Sequence, residues 1–343
     1  MHVQVEVHDP GSYAVSINST PSNPYIIGSR ASKLALIQAN LVLSSLRIAH
    51  PTQSFDILTV SVEGDRNKSQ ALYLLGGKSL WTKELELELL GGGVDMIVHS
   101  LKDVPTTLPE GCELGAVLSR EDPRDSLVVK SGLEYKTLED LPQGSVVGTS
   151  SVRRVAQLKR TFPHLQFQDV RGNLDTRIAK LDAATGPYTA LILARAGLVR
   201  MGWGERISSD LSAPSFLHAV GQGALGVEVR SGDQKVAELL RGVGDQATEW
   251  RTTAERAMLR VLEGGCSVPV GAHTVFQGQE LTLLGSVTSL DGTVHVQREV
   301  VGVVSSEEEA REVGERCARL LVQDGAGEIL KDIGKDREAR AAA

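Results

Sequence analysis

Along residues 25–120, apolar positions recur with two periods in turn. YIIGS is a short apolar run, and SKLALIQANLVLSSL after it sets Leu34, Ile37, Leu41 and Val42 at the spacing of one helical face. FDILTVSV predicts a strand. SLWTKELELELL predicts a helix that the glycines at 91–93 stop, and VDMIVHS predicts another strand. GCELGAVL closes the block as a buried strand carrying Cys112. Strands and helices taking turns in this way specify a sheet with helices on its faces.

SREDPRDSLVV, residues 119–129, is polar and contains a proline, and predicts a crossing between domains. Beyond it the alternation resumes with SVVGTS (strand and turn), SVRRVAQLKRTF (helix), FQDVRG (strand and turn), LDTRIAKLD (helix) and YTALILA (strand). HAVGQGALGVEVR, residues 218–230, is glycine-rich and strand-like. After about residue 245 the pattern changes. A helix, ERAMLRVLEGG, precedes three strand-like runs (GAHTVFQ, LTLLGSVTS, VHVQREVVGVV), and a charged helix, SEEEAREVGERCARLLVQDG, comes last. The expected fold class is α/β, followed by a small α+β domain.

A chain of 343 residues has room for two or three domains. With 41% apolar and 23% charged residues and no run of 18 apolar ones, no membrane partner is expected. A net charge of −7 argues against a general nucleic-acid binder. Residues 1–24 hold no Lys or Arg, and their Ser, Asn and Pro content predicts a loose tail rather than a leader. The three cysteines, at 112, 266 and 317, suit a reducing compartment, so a cytoplasmic location is expected. Cys317 shares a helical stripe with Val313, Leu320 and Leu321, which predicts a core position. Cys266, in EGGCSVP, is flanked by residues that hold a loop open, and core packing does not account for it.

Charge is uneven. Between Ser150 and Lys180 seven Lys or Arg (153, 154, 159, 160, 171, 177, 180) face two Asp (169, 175), in a protein that is acidic overall. GTSS at 148–151 ends a strand and opens a helix, where free backbone N–H groups converge. Arg153 and Arg154 in the first helical turn oppose the helix dipole, and a bound anion would compensate. Arg171 and Arg177 stand at the next strand end and helix. Arginine at such places suits carboxylates or phosphates, and the absence of a GxxxxGK[ST] run turns the expectation toward carboxylates. Lys159, Arg160 and Lys180 read as a solvated face. In the first block, Ser29, Arg30 and Ser32 open a helix after a strand, and VHSLKDVPT sets Lys102 and Asp103 just past a strand end.

Taken in order, GSRASKLALIQ, GGKSLWTKELE, VHSLKDVPT, LPEG, VGTSSVRRVAQLKR, VRGNLDTR, AVGQGALGVEVR and LEGGCSVPVGAH resemble the porphobilinogen deaminase family, from about residue 25 to the C-terminal region. The resemblance implies three domains: 25–120 plus 221–244, 121–220, and 245–343. The first two would be similar to the lobes of type II periplasmic binding proteins. The implied reaction joins four porphobilinogen molecules head to tail into hydroxymethylbilane, releasing ammonia, in tetrapyrrole (heme) biosynthesis. Cys266 would carry a covalent dipyrromethane cofactor through a thioether. Asp103 matches the family's catalytic aspartate. Lys102, Thr149, Ser150, Arg153, Arg154, Gly172, Arg177 and Arg200 match positions that bind the cofactor. Arg30, Ser32, Gln38, Lys78, Trp81, Lys83 and Arg171 match positions that bind substrate or cover the cleft. No metal ion is implied, and a monomer is expected.

Some positions depart from the family pattern: Glu63 before Gly64-Asp65, Arg195 in ILARAG, the apolar YLLGG at 73–77, and Trp81 in place of a frequent Phe. Arg195 would either add an anion contact or project into solvent. Two rival readings come from other classes. One is a non-catalytic module whose lobes close on an anion. The other is a cysteine hydrolase using Cys266 with His273, seven residues on.

Overall fold

The computed structural model describes residues 23–62, 81–262 and 268–341. Its first part contains Tyr25–Arg30 (β1), Lys33–Ala49 (α1), Phe55–Val60 (β2), Lys83–Leu90 (α2), Met96–Ser100 (β3) and Cys112–Val117 (β4). Next come Asp125–Val129 (β5), Val146–Gly148 (β6), Val152–Thr161 (α3), Gln166–Gln168 (β7), Leu174–Asp182 (α4), Ala190–Ala194 (β8), Arg195–Arg200 (α5) and Ser209–Leu211 (β9). Leu225–Arg230 (β10) and Gln234–Leu240 (α6) follow.

These strands make two sheets of the same plan. The first has the order β2-β1-β3-β10-β4 and the second β7-β6-β8-β5-β9. In each, three parallel strands lie beside one antiparallel strand, β10 or β5, which pairs antiparallel with both of its neighbours. The chain enters the second sheet through β5 and returns to the first through β10, so two segments, 118–124 and 212–224, link the sheets. Inner strands such as MIVHS and ALILA are buried along four of five residues, because helices cover both faces of a parallel sheet.

The third part is simpler. Gln246–Leu262 (α7) and Glu307–Leu321 (α8) pack on an antiparallel sheet of Val270–Gln277 (β11), Glu280–Thr288 (β12) and His295–Val303 (β13). Cys317 is buried there with Val313 and Leu321, and Cys112 is buried in the first sheet. A further helix, Gly327–Ala341 (α9), continues beyond Gly325, whose φ of 105° breaks the path.

Three expectations change. Residues 119–129 are not all crossing: Asp125–Val129 is a wholly buried strand. It looked polar because Asp125 and Ser126 are satisfied inside the fold, Ser126 by Asp210 at 2.7 Å. The buried face of α1 is Ala35, Gln38, Ala39, Val42, Leu43 and Leu46, rotated from the expected stripe, while Leu41 is exposed. Small alanines let this helix lie close to the sheet. The helix expected from SLWTKELELELL starts at Lys83 and ends at Leu90, with Gly91 as its cap, leaving Trp81 ahead of it.

Candidate functional site

Parallel strands of both sheets aim their carboxyl ends at one cavity of about 440 Å³ between the two sheets. After β1 come Arg30 and Ser32, and the Ser32 hydroxyl caps α1 by accepting from the Ala35 N–H. After β3 a single tight turn, Leu101–Asp103, presents Lys102 and Asp103. After β6 comes Ser150, with Ser151 capping α3, whose first turn supplies Arg153 and Arg154. Gly172, with φ of 112°, turns the chain into α4, which contributes Arg177. Arg200 lies at the end of α5. Gln38 and Trp81 complete the first-lobe wall, and the Arg30 guanidinium stacks 4.2 Å over the Trp81 ring. The third part closes one side with Leu259, Val268 and Val270.

The lining is strongly cationic. Seven Lys or Arg (30, 33, 102, 153, 154, 177, 200) face two Asp, 103 and 175. Arg153 and Arg154 are nearly inaccessible, and the compensation expected from an anion comes in part from the protein. Asp125 accepts from Arg153 at 2.8 Å and from Arg154 at 2.6 Å. Their remaining bonds go to the carbonyls of Leu217 and Ile192. Burial would raise the Asp125 pKa, but the two guanidiniums override it and hold this carboxyl well below the usual range. One carboxylate thus serves two cations.

Arg177, Arg200 and Lys102 make no ion pair among the described residues. Among the described residues, Arg177 donates only to the Gly172 carbonyl at 2.8 Å, and Arg200 only to the Gly223 carbonyl at 2.7 Å. Burial, with nearby Arg154, pushes Arg177 down to about 10. Lys102 donates to Gln222 at 3.3 Å, and burial pushes it down to about 8 against the pull of Asp103. Asp103 has no hydrogen bond or ion pair among the described residues, so its carboxylate faces the cavity with its acceptor capacity unused.

Arg30, Ser32, Gln38, Trp81, Lys102 and Asp103 therefore meet Ser150, Arg153, Arg154, Gly172, Arg177 and Arg200 at one place. Three expected residues stand outside the lining. Thr149 is buried, and its hydroxyl accepts from the Ser151 N–H, shaping the turn behind Ser150. Lys83 is exposed at the start of α2, and Arg171 is half-buried beside the cavity. Lys78, Cys266 and Glu63 lie outside the described residues. Arg195 neither binds in the cavity nor projects into solvent: it pairs with Asp210 at 2.9 Å and Asp122 at 3.2 Å. Residue-type reasoning missed Gln222, Asn173 and Ser100, which also line the site. Gln222 had a signal in its two flanking glycines. Gly221–Gly226 spells G-x-G-x-x-G, but it leads into strand β10 and opens no helix, so it is not a dinucleotide loop.

A family model described as "Porphobilinogen deaminase, dipyromethane cofactor binding domain" matches residues 25–238. A second, "Porphobilinogen deaminase, C-terminal domain", matches residues 250–323. The chain is 52% identical over 312 residues to the porphobilinogen deaminase of Yarrowia lipolytica, covering 90% of this chain and 92% of that protein. It is 51% identical over 315 residues to that of Synechococcus elongatus, covering 92% and 97%. Among solved structures it resembles the second substrate binding domain of a putative amino acid ABC transporter from Streptococcus pneumoniae, at 13% identity, 63% and 89% coverage and a TM-score of 0.39.

Proposed function

Because the chain belongs to the porphobilinogen deaminase family, we propose that its cationic cavity is where porphobilinogen units are joined head to tail, around Asp103. The observation that carries this reading is the charge arrangement: seven cations and a carboxylate of unused acceptor capacity at the ends of parallel strands. Porphobilinogen bears an acetate and a propionate, so each unit added to a chain brings two carboxylates. A dipyrromethane would bring four. The fit is chemical: Arg177 and Arg200 spend one N–H each on a carbonyl and keep several donors for carboxylates.

In this reading Lys102, Ser150, Arg153, Arg154, Gly172, Arg177 and Arg200 hold the cofactor, with Thr149 shaping the turn beneath it. Arg30, Ser32, Gln38, Lys78, Trp81, Lys83 and Arg171 meet the incoming substrate. When bound, the dipyrromethane supplies the pyrrole end that is extended. Asp103 accepts the pyrrole N–H and stabilises the positive charge that develops on the substrate as ammonia leaves. A carboxylate that makes no ion pair among the described residues is suited to that, since no such salt bridge must break first. Cys266 is proposed as the thioether anchor. Leu259 and Val268, on either side of residues 263–267, both line the cavity, which supports an anchor at that place.

We take the domain limits as 25–120 plus 221–244, 121–220 and 245–343, in keeping with one sheet in each. The protein is proposed to act as a monomer in the cytoplasm, on a small molecule and without nucleic acid. No described helix is long and apolar enough to cross a membrane. Intact mass separates this reading from a non-catalytic binding module and from a cysteine hydrolase. Purified protein should carry two covalently attached pyrrole units, and Cys266→Ala should be folded, without the added mass, and inactive. A Cys266→Ala variant with normal turnover would overturn the anchor.

A further inference from the structure

The Gly-Gln-Gly stretch at 221–223 joins the two lobes at the cavity, yet no step above uses its glutamine. Gln222 is 1% exposed, and both ends of its amide are committed. Its Nε2 donates to the Pro123 carbonyl at 2.7 Å and to Asp125 Oδ1 at 2.9 Å. Its Oε1 accepts from Lys102 Nζ at 3.3 Å. The amide orientation is chemically forced, because Lys102 can only donate while Pro123 and ionised Asp125 can only accept. The backbone is fixed as well. Arg120 Nε donates to the Gln222 carbonyl at 2.8 Å, and Arg120 is itself gripped by Glu255 of α7. Gly221 and Gly223 have φ of 73° and 88°. A Cβ on Gly221 would stand 3.2 Å from the Lys102 backbone nitrogen, and one on Gly223 would stand 2.2 Å from the Glu121 carbonyl oxygen. Only glycines allow the backbone to press against the Lys102 turn on one side and the first crossing on the other.

We infer that Gln222 is a positioning residue that sets Lys102 for its carboxylate ligand, linking that lysine in the first lobe to the Asp125–arginine group in the second. This rests on the reading that Lys102 faces a carboxylate in the cavity. Gln222 supplies the lysine with a neutral acceptor, so its ammonium is held in place without being neutralised, and its other N–H donors remain available. The charged groups facing Lys102 are Asp103 on its own turn, Arg153 and Arg154 from α3, and Asp125 from β5. Gln222 lies between that lysine and the last of these.

The test is the titration of Lys102 itself, read in the holoenzyme from its rate of acetylation by acetic anhydride against pH, with peptide mass spectrometry. Gln222→Met removes the acceptor and should lower the midpoint. Gln222→Glu keeps an acceptor and adds charge, and should raise it. Each change should be on the order of one pH unit, the scale of one hydrogen bond to a charged group. A midpoint unmoved in Gln222→Glu, or moved the same way by both variants, overturns the proposal even if Gln222→Met fails to fold. Kinetics give a second arm. Gln222→Met should lower kcat/KM roughly ten-fold, and combining it with Lys102→Gln should cost no more than Lys102→Gln alone. Independent, multiplicative losses overturn it. Failure of the underlying reading looks different: Lys102→Gln would then load cofactor, by intact mass, to the wild-type extent with an unchanged KM.

Discussion

Asp125 Oδ1 accepts from Arg154 Nη2 at 2.6 Å, with both side chains almost wholly inside the protein. The same carboxylate holds Arg153, so two cations of the cavity wall are anchored through a strand that belongs to the interior of the second sheet. Asp125 compensates part of the charge of the basic turn at the start of α3, which keeps a positive excess because one carboxylate cannot neutralise two guanidiniums.

Removing that carboxylate strands two buried cations. Asp125→Asn should destabilise the protein by about 3–5 kcal/mol, the usual cost of breaking a buried pair from one side. Asp122→Asn serves as the comparison. Asp122 is partly exposed and pairs with Arg124 and Arg195 near the surface, so its loss should cost at most about 1 kcal/mol. Chemical denaturation of both variants checks the difference, and equal stabilities would mean the buried pair does not anchor the turn.

Arg177→Gln should weaken cofactor loading or kcat/KM by roughly 10–100-fold, because a guanidinium whose bonds among the described residues stop at one carbonyl has its other donors free for carboxylates. Lys159→Gln should be nearly silent. Lys159 is exposed on α3, away from the lining, and makes one long bond to the Leu290 carbonyl. Intact mass and steady-state kinetics on both variants test the contrast.

Asp103→Asn keeps the size of the side chain and one acceptor but loses the charge facing the developing cation. Turnover should fall by ~10²–10³-fold, while stability changes little because Asp103 makes no hydrogen bond or ion pair among the described residues. Covalently bound pyrroles should still be found by electrospray mass. Turnover within a few-fold of wild type would remove Asp103 from the mechanism.

Lys102 gives a pH dependence. Burial lowers it from 10.5 to about 8, so it loses its charge as pH rises through that value. Between about 8 and 10.5 the folded protein binds fewer protons than the unfolded chain. This group therefore favours folding more as pH rises through that window. Carboxylate binding goes the other way and should weaken above about pH 8, with the limb moved upward in loaded protein because the ligand stabilises the charged form. Lys102→Arg, which stays charged, should abolish this limb in a kcat/KM profile. A limb that persists unchanged would have another origin.

The alternation of periods in residues 25–117 and 146–194 was enough to place most strands and helices, helped by Ser32 and Ser151, which cap the helices after β1 and β6. Those ends also carry Arg30, Lys102, Asp103, Arg153 and Arg177, which is why the candidate site was legible before any geometry: in a parallel sheet a residue just past a strand is already at the ligand-binding edge. Cys112 and Cys317 could likewise be assigned to cores from their apolar neighbours. Pairing between distant segments left no local trace. Asp125 looked like part of a polar crossing because its two arginine partners lie 28 and 29 residues away. Arg195 looked unexplained because Asp122 comes from the first crossing and Asp210 from strand β9, both distant in sequence. The face of α1 was misplaced because helical spacing states which residues can share a stripe, whereas close approach of Ala35 and Ala39 to the sheet selects which stripe is covered. Gln222 shows the same division most plainly. Its flanking glycines were visible in the chain, but only the meeting of Lys102, Pro123 and Asp125 around one amide makes it a joint between lobes. Local sequence decides secondary structure and its ends through short-range sterics and capping, while charge compensation depends on which groups the folded chain brings within hydrogen-bonding distance.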